Sequence, residues 1–421
     1  MAQHAKLSPS SAERWMTCPS SVVLSEGIKE KSSEYADEGT AAHFLAATCL
    51  NSDTNAADHI DKTIHLFYHD LSDSFGEAFN LPADDMGTIE LDILNEFIVD
   101  EDMARYVQVY VDYVRSVRDA TNGELFVEVS VPLCHMTGEE GATGTSDAII
   151  LTEDEVIVID LKYGRGVEVS AEENRQMMMY ASGAVEMFRS AITPKRARMV
   201  IVQPRLSFSP SEWDCEVQKL FEFNADAKFC ADNIELIEEG NLDIKEFLMP
   251  SEKGCKFCKA KARCPALRDF VAGHAGDFED LLTAPPPDAG KYTNDELALH
   301  MSAIDLIEDW CKAIRAEVEK ELFAGGIVPG YKLVQGRKGS RAWSSKEAAE
   351  ELLKKLKLKR DEMYELKLIS PTVAEKILKN DEKKWSRVQE LITQADGSPS
   401  VAPVTDKRPA ISVAPSPDDF A

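Results

Sequence analysis

Asp147, Asp160 and Lys162 are the residues of this chain whose types and spacing could do chemistry. They lie on two apolar, β-branched runs, Gly144-Thr145-Ser146-Asp147-Ala148-Ile149-Ile150-Leu151 and Val156-Ile157-Val158-Ile159-Asp160-Leu161-Lys162-Tyr163. The polar connector Thr152-Glu153-Asp154-Glu155 joins them, which predicts a β-hairpin. Side chains on a strand alternate faces, so Asp160 and Lys162 point one way while Leu161 points into a core. Asp147 enters from the neighbouring strand and approaches the same spot. Two carboxylates and an ammonium gathered against apolar side chains repel and shift one another unless a cation sits between them. A hard divalent ion on oxygen ligands, with a lysine beside the attacking water, is an arrangement that cleaves phosphodiesters. Taken alone, a pattern as short as D-x-K describes a surface salt bridge on a two-strand edge as readily.

The pattern G-x-x-D, apolar strand, D-x-K resembles the catalytic core of the PD-(D/E)XK nuclease superfamily, specifically its RecB-like branch. Gly144, Asp147, Asp160 and Lys162 match it position by position. Gly39, Thr40 and His43 are similar to the family's G-T-x-x-H helix, which implies that His43 stands beside the metal. Gly39 is expected to break the chain and Thr40 to cap the helix that follows. Gln176 and Tyr180, at i and i+4, share a helix face and match a Q-x-x-x-Y helix that packs over the active site. The methionines between them read as core. Glu128, in a strand from Leu125 to Val131, reads either as an outward-facing residue or as the family's acidic residue near the metal. The resemblance implies an α/β fold, a restriction-endonuclease-like mixed sheet flanked by helices. It also implies that Asp147, Asp160, His43 and the Leu161 carbonyl hold one or two Mg²⁺ or Mn²⁺ ions. Lys162 would orient the nucleophile, Gln176 and Tyr180 would position substrate or the lysine, and the substrate would be DNA, as ends or single strands.

Cys255, Cys258 and Cys264 form a C-x-x-C followed by a third cysteine, a metal-binding pattern. A tetrahedral or cubane site takes a fourth thiolate, and the second C-x-x-C of a zinc ribbon is absent. In the iron–sulfur branch of RecB-like nucleases, three such cysteines join a distant one upstream of the histidine helix. The resemblance therefore implies Cys18 as fourth ligand of a 4Fe–4S cluster, with Zn²⁺ in the same cage as the alternative. Such a site would clip together the two ends of the nuclease domain. Lys256, Lys259, Lys261 and Arg263 would offset its charge and could touch phosphates. The other five cysteines read as ordinary thiols.

A chain of 421 residues has room for one large or two medium domains. No run approaches a membrane span, no basic-then-apolar signal opens the chain, and scattered cysteines suit a reducing compartment. A cytoplasmic location is expected, in the host cytoplasm if the protein is phage-encoded. The net charge of −27 opposes indiscriminate nucleic-acid binding. Basic residues nevertheless gather at Lys195, Arg196, Arg198 and Arg205, from Lys253 to Arg268, and from Lys354 to Arg360, which is compatible with a local basic groove.

In chain order, Leu7 to Trp15 resembles a helix start with a capping box, ended by Cys18-Pro19. A nuclease domain spans 1–275, with 51–100 as an insertion or loosely packed helical segment and His59, His65 and His69 as surface residues. Glu101 to Asp119 carries a helical apolar stripe. A Pro-rich linker occupies 276–290, a mostly helical region 291–394, and a disordered acidic tail 395–421. Arg337, Lys338, Arg341 and Trp343 suit a strand-contacting surface or an ordinary loop equally. Pro415 to Ala421 resembles the acidic, phenylalanine-bearing tip of single-strand-binding proteins. The expected function is a metal-dependent DNA exonuclease of recombination, repair or phage replication. The alternatives are a non-catalytic DNA-binding component and a scaffold for a recombinase or single-strand-binding protein.

Overall fold

In the computed structural model the described residues are 5–28, 34–67, 93–207, 209–275, 294–336, 341–364, 368–378, 382–393, 397–403 and 408–411. Two compact units, 1–309 and 310–421, divide the chain within the helix Asn294–Phe323. The expected linker at 276–290 lies outside the described residues.

The first unit opens with a 3-10 turn, Pro9–Ser11, and a helix, Ala12–Thr17, that stops at Cys18. The expected capping box does not form, because the Ser8 and Ser11 hydroxyls pair with each other at 2.9 Å. The helix Glu34–Ser52 runs straight through Gly39 and Thr40, against the expected break and cap. Thr40 instead donates its hydroxyl to Ala36 O at 3.2 Å, a bond within a helix. A helical glycine costs about 1 kcal/mol relative to alanine. Burial of Ala41, Ala42, Leu45, Ala46 and Cys49 just beyond it outweighs that cost.

Strand β1 (Thr63–Phe67) pairs antiparallel with β2 (Ile93–Ile98). The described part of the expected insertion holds a 3-10 turn, Ala56–His59, and this strand pair. Ile64 and Leu66 are buried with His65 between them, a period of two that suits a strand. The stripe after Asp100 forms the helix Glu101–Thr121, which buries Val107, Tyr110, Val111, Val114 and Val117. Asp100 caps it, accepting the Met103 N–H at 2.7 Å.

Five strands follow: β3 (Glu124–Pro132), β4 (Thr143–Leu151), β5 (Glu155–Leu161), β6 (Arg196–Val202) and β7 (Ser211–Glu216). They form one sheet in the order β3-β4-β5-β6-β7, antiparallel except for the parallel pair β5/β6. A parallel pair needs a crossover, which the helix Arg175–Phe188 supplies. Val156 and Val158 face one core, with Met177 and Met179 of that helix. Ile157, Ile159 and Leu161 face the other, against the helices Glu34–Ser52 and Glu101–Thr121. Burial on both faces is why β5 reads as an unbroken apolar run. The helix Val217–Glu238 adds Leu220, Phe223 and Ile234 to the first core. This is the mixed sheet flanked by helices that the fold class called for.

The second unit is largely helical. Lys346–Lys355, Pro371–Leu378 and Glu382–Gln389 bury Leu353, Leu378 and Val388 together with Trp385. Two strand pairs join them: β8 (Tyr331–Gly336) with β11 (Gly397–Pro403), and β9 (Ala342–Trp343) with β10 (Ile392–Thr393). Part of the expected disordered tail is thus a strand, because the buried Leu333 and Val334 of β8 take a partner from it. The phenylalanine-bearing tip lies outside the described residues. Arg341 pairs with Glu375, and the Trp343 indole N–H donates to Ile369 O at 3.0 Å. Both are spent inside the unit, and Arg337 and Lys338 lie outside the described residues.

Candidate functional site

The β4/β5 ladder pairs Ala148 with Ile159 through Leu151 with Val156. Asp147 stands one residue beyond its last rung, and Asp160 and Lys162 continue the opposite strand. Asp147 Oδ2 accepts the Leu161 N–H at 2.7 Å and lies 3.2 Å from His43 Nδ1. Lys162 Nζ sits 3.0 Å from Asp160 Oδ2 and donates to Gln176 Oε1 at 2.9 Å. Gln176 Nε2 in turn donates to Tyr180 OH at 3.4 Å. Asn174 starts the helix carrying both residues, its side chain accepting the Met177 N–H at 3.2 Å. Leu161 is fully buried on the opposite face, as its alternation requires.

Glu128 joins this group through an irregularity in the sheet. Leu125 and Val127 pack in one core, whereas Val129 and Val131 pack in the other. On β4, Ala148 and Ile150 face one core, while Gly144 faces Leu133 and Tyr180 of the other. Both strands therefore change face where Glu128 stands opposite Asp147. Glu128 accommodates the change with φ of +50°, left-handed backbone that costs a non-glycine residue about 1–2 kcal/mol. Ligand atoms of His43, Glu128 and Asp147 lie within 4.8 Å of one another, the one such trio of His, Cys, Asp and Glu among the described residues.

The electrostatics are those of carboxylates crowded into a partly dry site. Burial, followed by the charge of Asp147, pushes Glu128 up to about 7. Burial likewise raises Asp160, with Asp147 adding to the shift and Lys162 opposing it. For Asp147 burial works upward, but the charge and hydrogen bond of His43 and the Leu161 N–H bring it below its ordinary value. Burial works against charging His43, yet Asp147 and Asp160 raise it to about 9. The imidazolium of His43 and the ammonium of Lys162 thus place positive charge among these three carboxylates. A group of oxygens and an imidazole that runs from the buried Asp160 through the half-buried His43 and Asp147 to the exposed Glu128 fits a hard divalent ion.

Gly144 has a packing reason. A Cβ there would lie 2.8 Å from Pro9 Cγ and 3.2 Å from both Leu133 Cδ1 and Tyr180 Cε1. Its absence lets the Gln176/Tyr180 helix and the chain's opening segment close onto β4.

Cys18, Cys255, Cys258 and Cys264 line one apolar cavity. Cys18 Sγ accepts the Met249 N–H and Cys255 Sγ the Ser251 N–H, each at 3.4 Å. Burial, and then the neighbouring thiols, push Cys255 up to about 11. Four thiols line one dry cavity with backbone donors aimed at two of the sulfurs, and no three of these sulfurs lie within 4.8 Å of one another, a wider set that suits a cluster better than a single ion. Cys18, distant in sequence, thus lines the same cavity as the three clustered cysteines.

The histidines expected as surface residues have separate polar partners. His59 Nε2 lies 2.9 Å from Thr54 Oγ1, and His65 Nδ1 3.1 Å from Glu96. His69 lies outside the described residues. The first basic group is consumed by ion pairs: Lys195 with Asp154, Arg196 with Asp214, Arg198 with Glu155 and Arg205 with Glu38. The carboxylates come from the β4–β5 turn, from β5 and β7, and from the helix Glu34–Ser52. Arg205 also lies over the Tyr163 ring at 4.5 Å, tying the histidine helix to the residue after Lys162. Sequence reasoning missed this Glu38–Arg205–Tyr163 clamp. The sole signal was the position of Tyr163 beside the lysine.

A family model described as "Protein of unknown function (DUF2800)" matches residues 4–409. Among solved structures, the chain is similar to one described as "Crystal structure of SSO0001", with 16% identity and a TM-score of 0.22 over 38% of this chain and 67% of that one. It is also similar to an alkaline exonuclease (LHK-Exo) from Laribacter hongkongensis, with 12% identity and a TM-score of 0.19 over 31% of this chain and 69% of that one.

Proposed function

The chain belongs to the DUF2800 family, whose description assigns no function, and we propose from its site that it is a divalent-metal-dependent DNA nuclease, acting as an exonuclease. The observation that carries this reading is Lys162, held between Asp160 at 3.0 Å and Gln176 at 2.9 Å beside the His43–Glu128–Asp147 trio. Asp147, Asp160 and His43 would hold Mg²⁺ or Mn²⁺, with Glu128 and the Leu161 carbonyl as further oxygen donors. The ion would supply Lewis acidity and a lowered pKa for bound water. Lys162 orients the attacking water and stabilises the charge that develops on the phosphoryl oxygens. Gln176 keeps the ammonium on that spot, and Tyr180 keeps the amide in place. The four thiols would hold an iron–sulfur cluster, or zinc, as a structural clip.

The test is digestion of end-labelled linear DNA, single- and double-stranded, beside closed circles, with Mg²⁺ or Mn²⁺. Wild type is expected to consume linear substrate only, and Lys162→Ala to be about a hundredfold slower or worse. Wild type that leaves every substrate intact in both metals would refute the reading.

A further inference from the structure

Arg175 stands between the thiol-lined cavity and Lys162. We propose that it is the positioning residue through which metal occupancy of the thiols sets the catalytic lysine. This rests on the nuclease reading for the role of Lys162, though the coupling can be measured without DNA. Arg175 Nη1 donates to Thr17 Oγ1 at 2.7 Å and to Glu13 O at 3.4 Å, and its Nε lies 3.6 Å from Glu13 Oε2. Thr17 precedes Cys18. Its side chain also packs on Gly254, where an added Cβ would lie 3.4 Å from Thr17 Cγ2. Gly254 in turn precedes Cys255, so Thr17 is gripped from both sides of the cavity.

On its other side Arg175 opens the helix Arg175–Phe188. The next residue, Gln176, accepts from Lys162 Nζ at 2.9 Å. The path from sulfur to ammonium runs through Thr17, Arg175 and Gln176, each in direct contact with the next or adjacent to it in the chain. A metal on the four thiols fixes Cys18 and Cys255 relative to each other, and Thr17 with them. Arg175 then keeps its acceptors, and the first turn of its helix keeps Gln176 under Lys162. Without the metal, burial and weak hydrogen bonds hold the sulfurs, among them Met249 N–H to Cys18, Ser251 N–H to Cys255 and the Cys18 thiol to Phe247 O. Thr17 gains freedom, and the first helical turn loosens.

Full-length protein reconstituted with iron and sulfide, and the same protein stripped with a chelator, are compared by hydrogen exchange of the peptide spanning 174–182. Stripping is expected to speed that exchange about fivefold in wild type, the equivalent of one hydrogen bond lost. In Arg175→Ala exchange is already fast and stripping leaves it unchanged, while metal content and absorbance match wild type. Arg175→Lys, which keeps a donor for Thr17, restores part of the difference. On DNA, loaded Arg175→Ala loses kcat with little change in KM. An equal stripping effect in wild type and Arg175→Ala overturns the proposal, as do the absence of any effect in wild type and thiols that take up no metal. Loaded wild type that cleaves no DNA, with the exchange difference intact, removes the nuclease reading and leaves the coupling supported.

Discussion

Replacing Asp147 by asparagine removes the charge that keeps His43 protonated and still leaves an oxygen to accept the Leu161 N–H. In the metal-free site burial disfavours the imidazolium, and Asp147, with Asp160 behind it, lifts His43 from 6.5 to about 9. A lift of that size corresponds to about 3 kcal/mol of preference for the charged form. Solvent around a side chain that is 32% exposed reduces its effect on stability to between about 1 and 2 kcal/mol. The folded protein binds this proton more tightly than the unfolded chain does. The stabilisation is therefore fully present below pH 6.5 and is lost as pH rises through about 9. NMR titration of the His43 ring in metal-free protein reads the pKa directly, and urea unfolding below and above this window reads its effect on stability. Asp147→Asn is expected to titrate near or below 6.5 and to lose the extra pH dependence of wild type. Wild type titrating near 6.5, or a variant still titrating near 9, would refute the electrostatic account. The same proton must leave before His43 can ligate a cation, so Mn²⁺ binding below about pH 9 releases protons.

Gln176→Leu deprives Lys162 of its acceptor and is expected to lower kcat on end-labelled DNA about tenfold with KM little changed; a rise in KM alone would place Gln176 in substrate binding instead. Gly144→Ala puts a methyl 2.8 Å from Pro9 Cγ and against Tyr180. Overpacking of that kind costs about 1–3 kcal/mol, and thermal unfolding should show it as a lower Tm; an unchanged Tm would mean that these side chains part freely. Glu128→Gly relieves a φ of +50° and removes a carboxylate that crowds Asp147. Metal-free protein should gain about 1 kcal/mol in urea unfolding, while Mn²⁺ affinity by calorimetry falls; a loss of stability would show that the left-handed backbone is not strained.

Local pattern was enough to determine much of this protein from sequence. Period-two and unbroken apolar runs marked β3 to β6, and spacing of three and four marked the helix Glu101–Thr121. Strand alternation placed Asp160 and Lys162 together, and i, i+4 spacing placed Gln176 with Tyr180. Hydrogen-bonding geometry and side-chain period act over a few residues, so the chain displays them without knowledge of its partners. Tertiary structure alone decided that Glu128, although exposed, stands beside Asp147, because the change of face depends on β3 and β4 bending together. It decided that Lys195, Arg196, Arg198 and Arg205 are neutralised, because their carboxylates arrive from elements distant in sequence. It carried a helix through Gly39, where burial of the following residues overrode local propensity. It also set Thr17 against Arg175, 158 residues apart. Contacts of that range exist only once the chain has closed, and no local period encodes them.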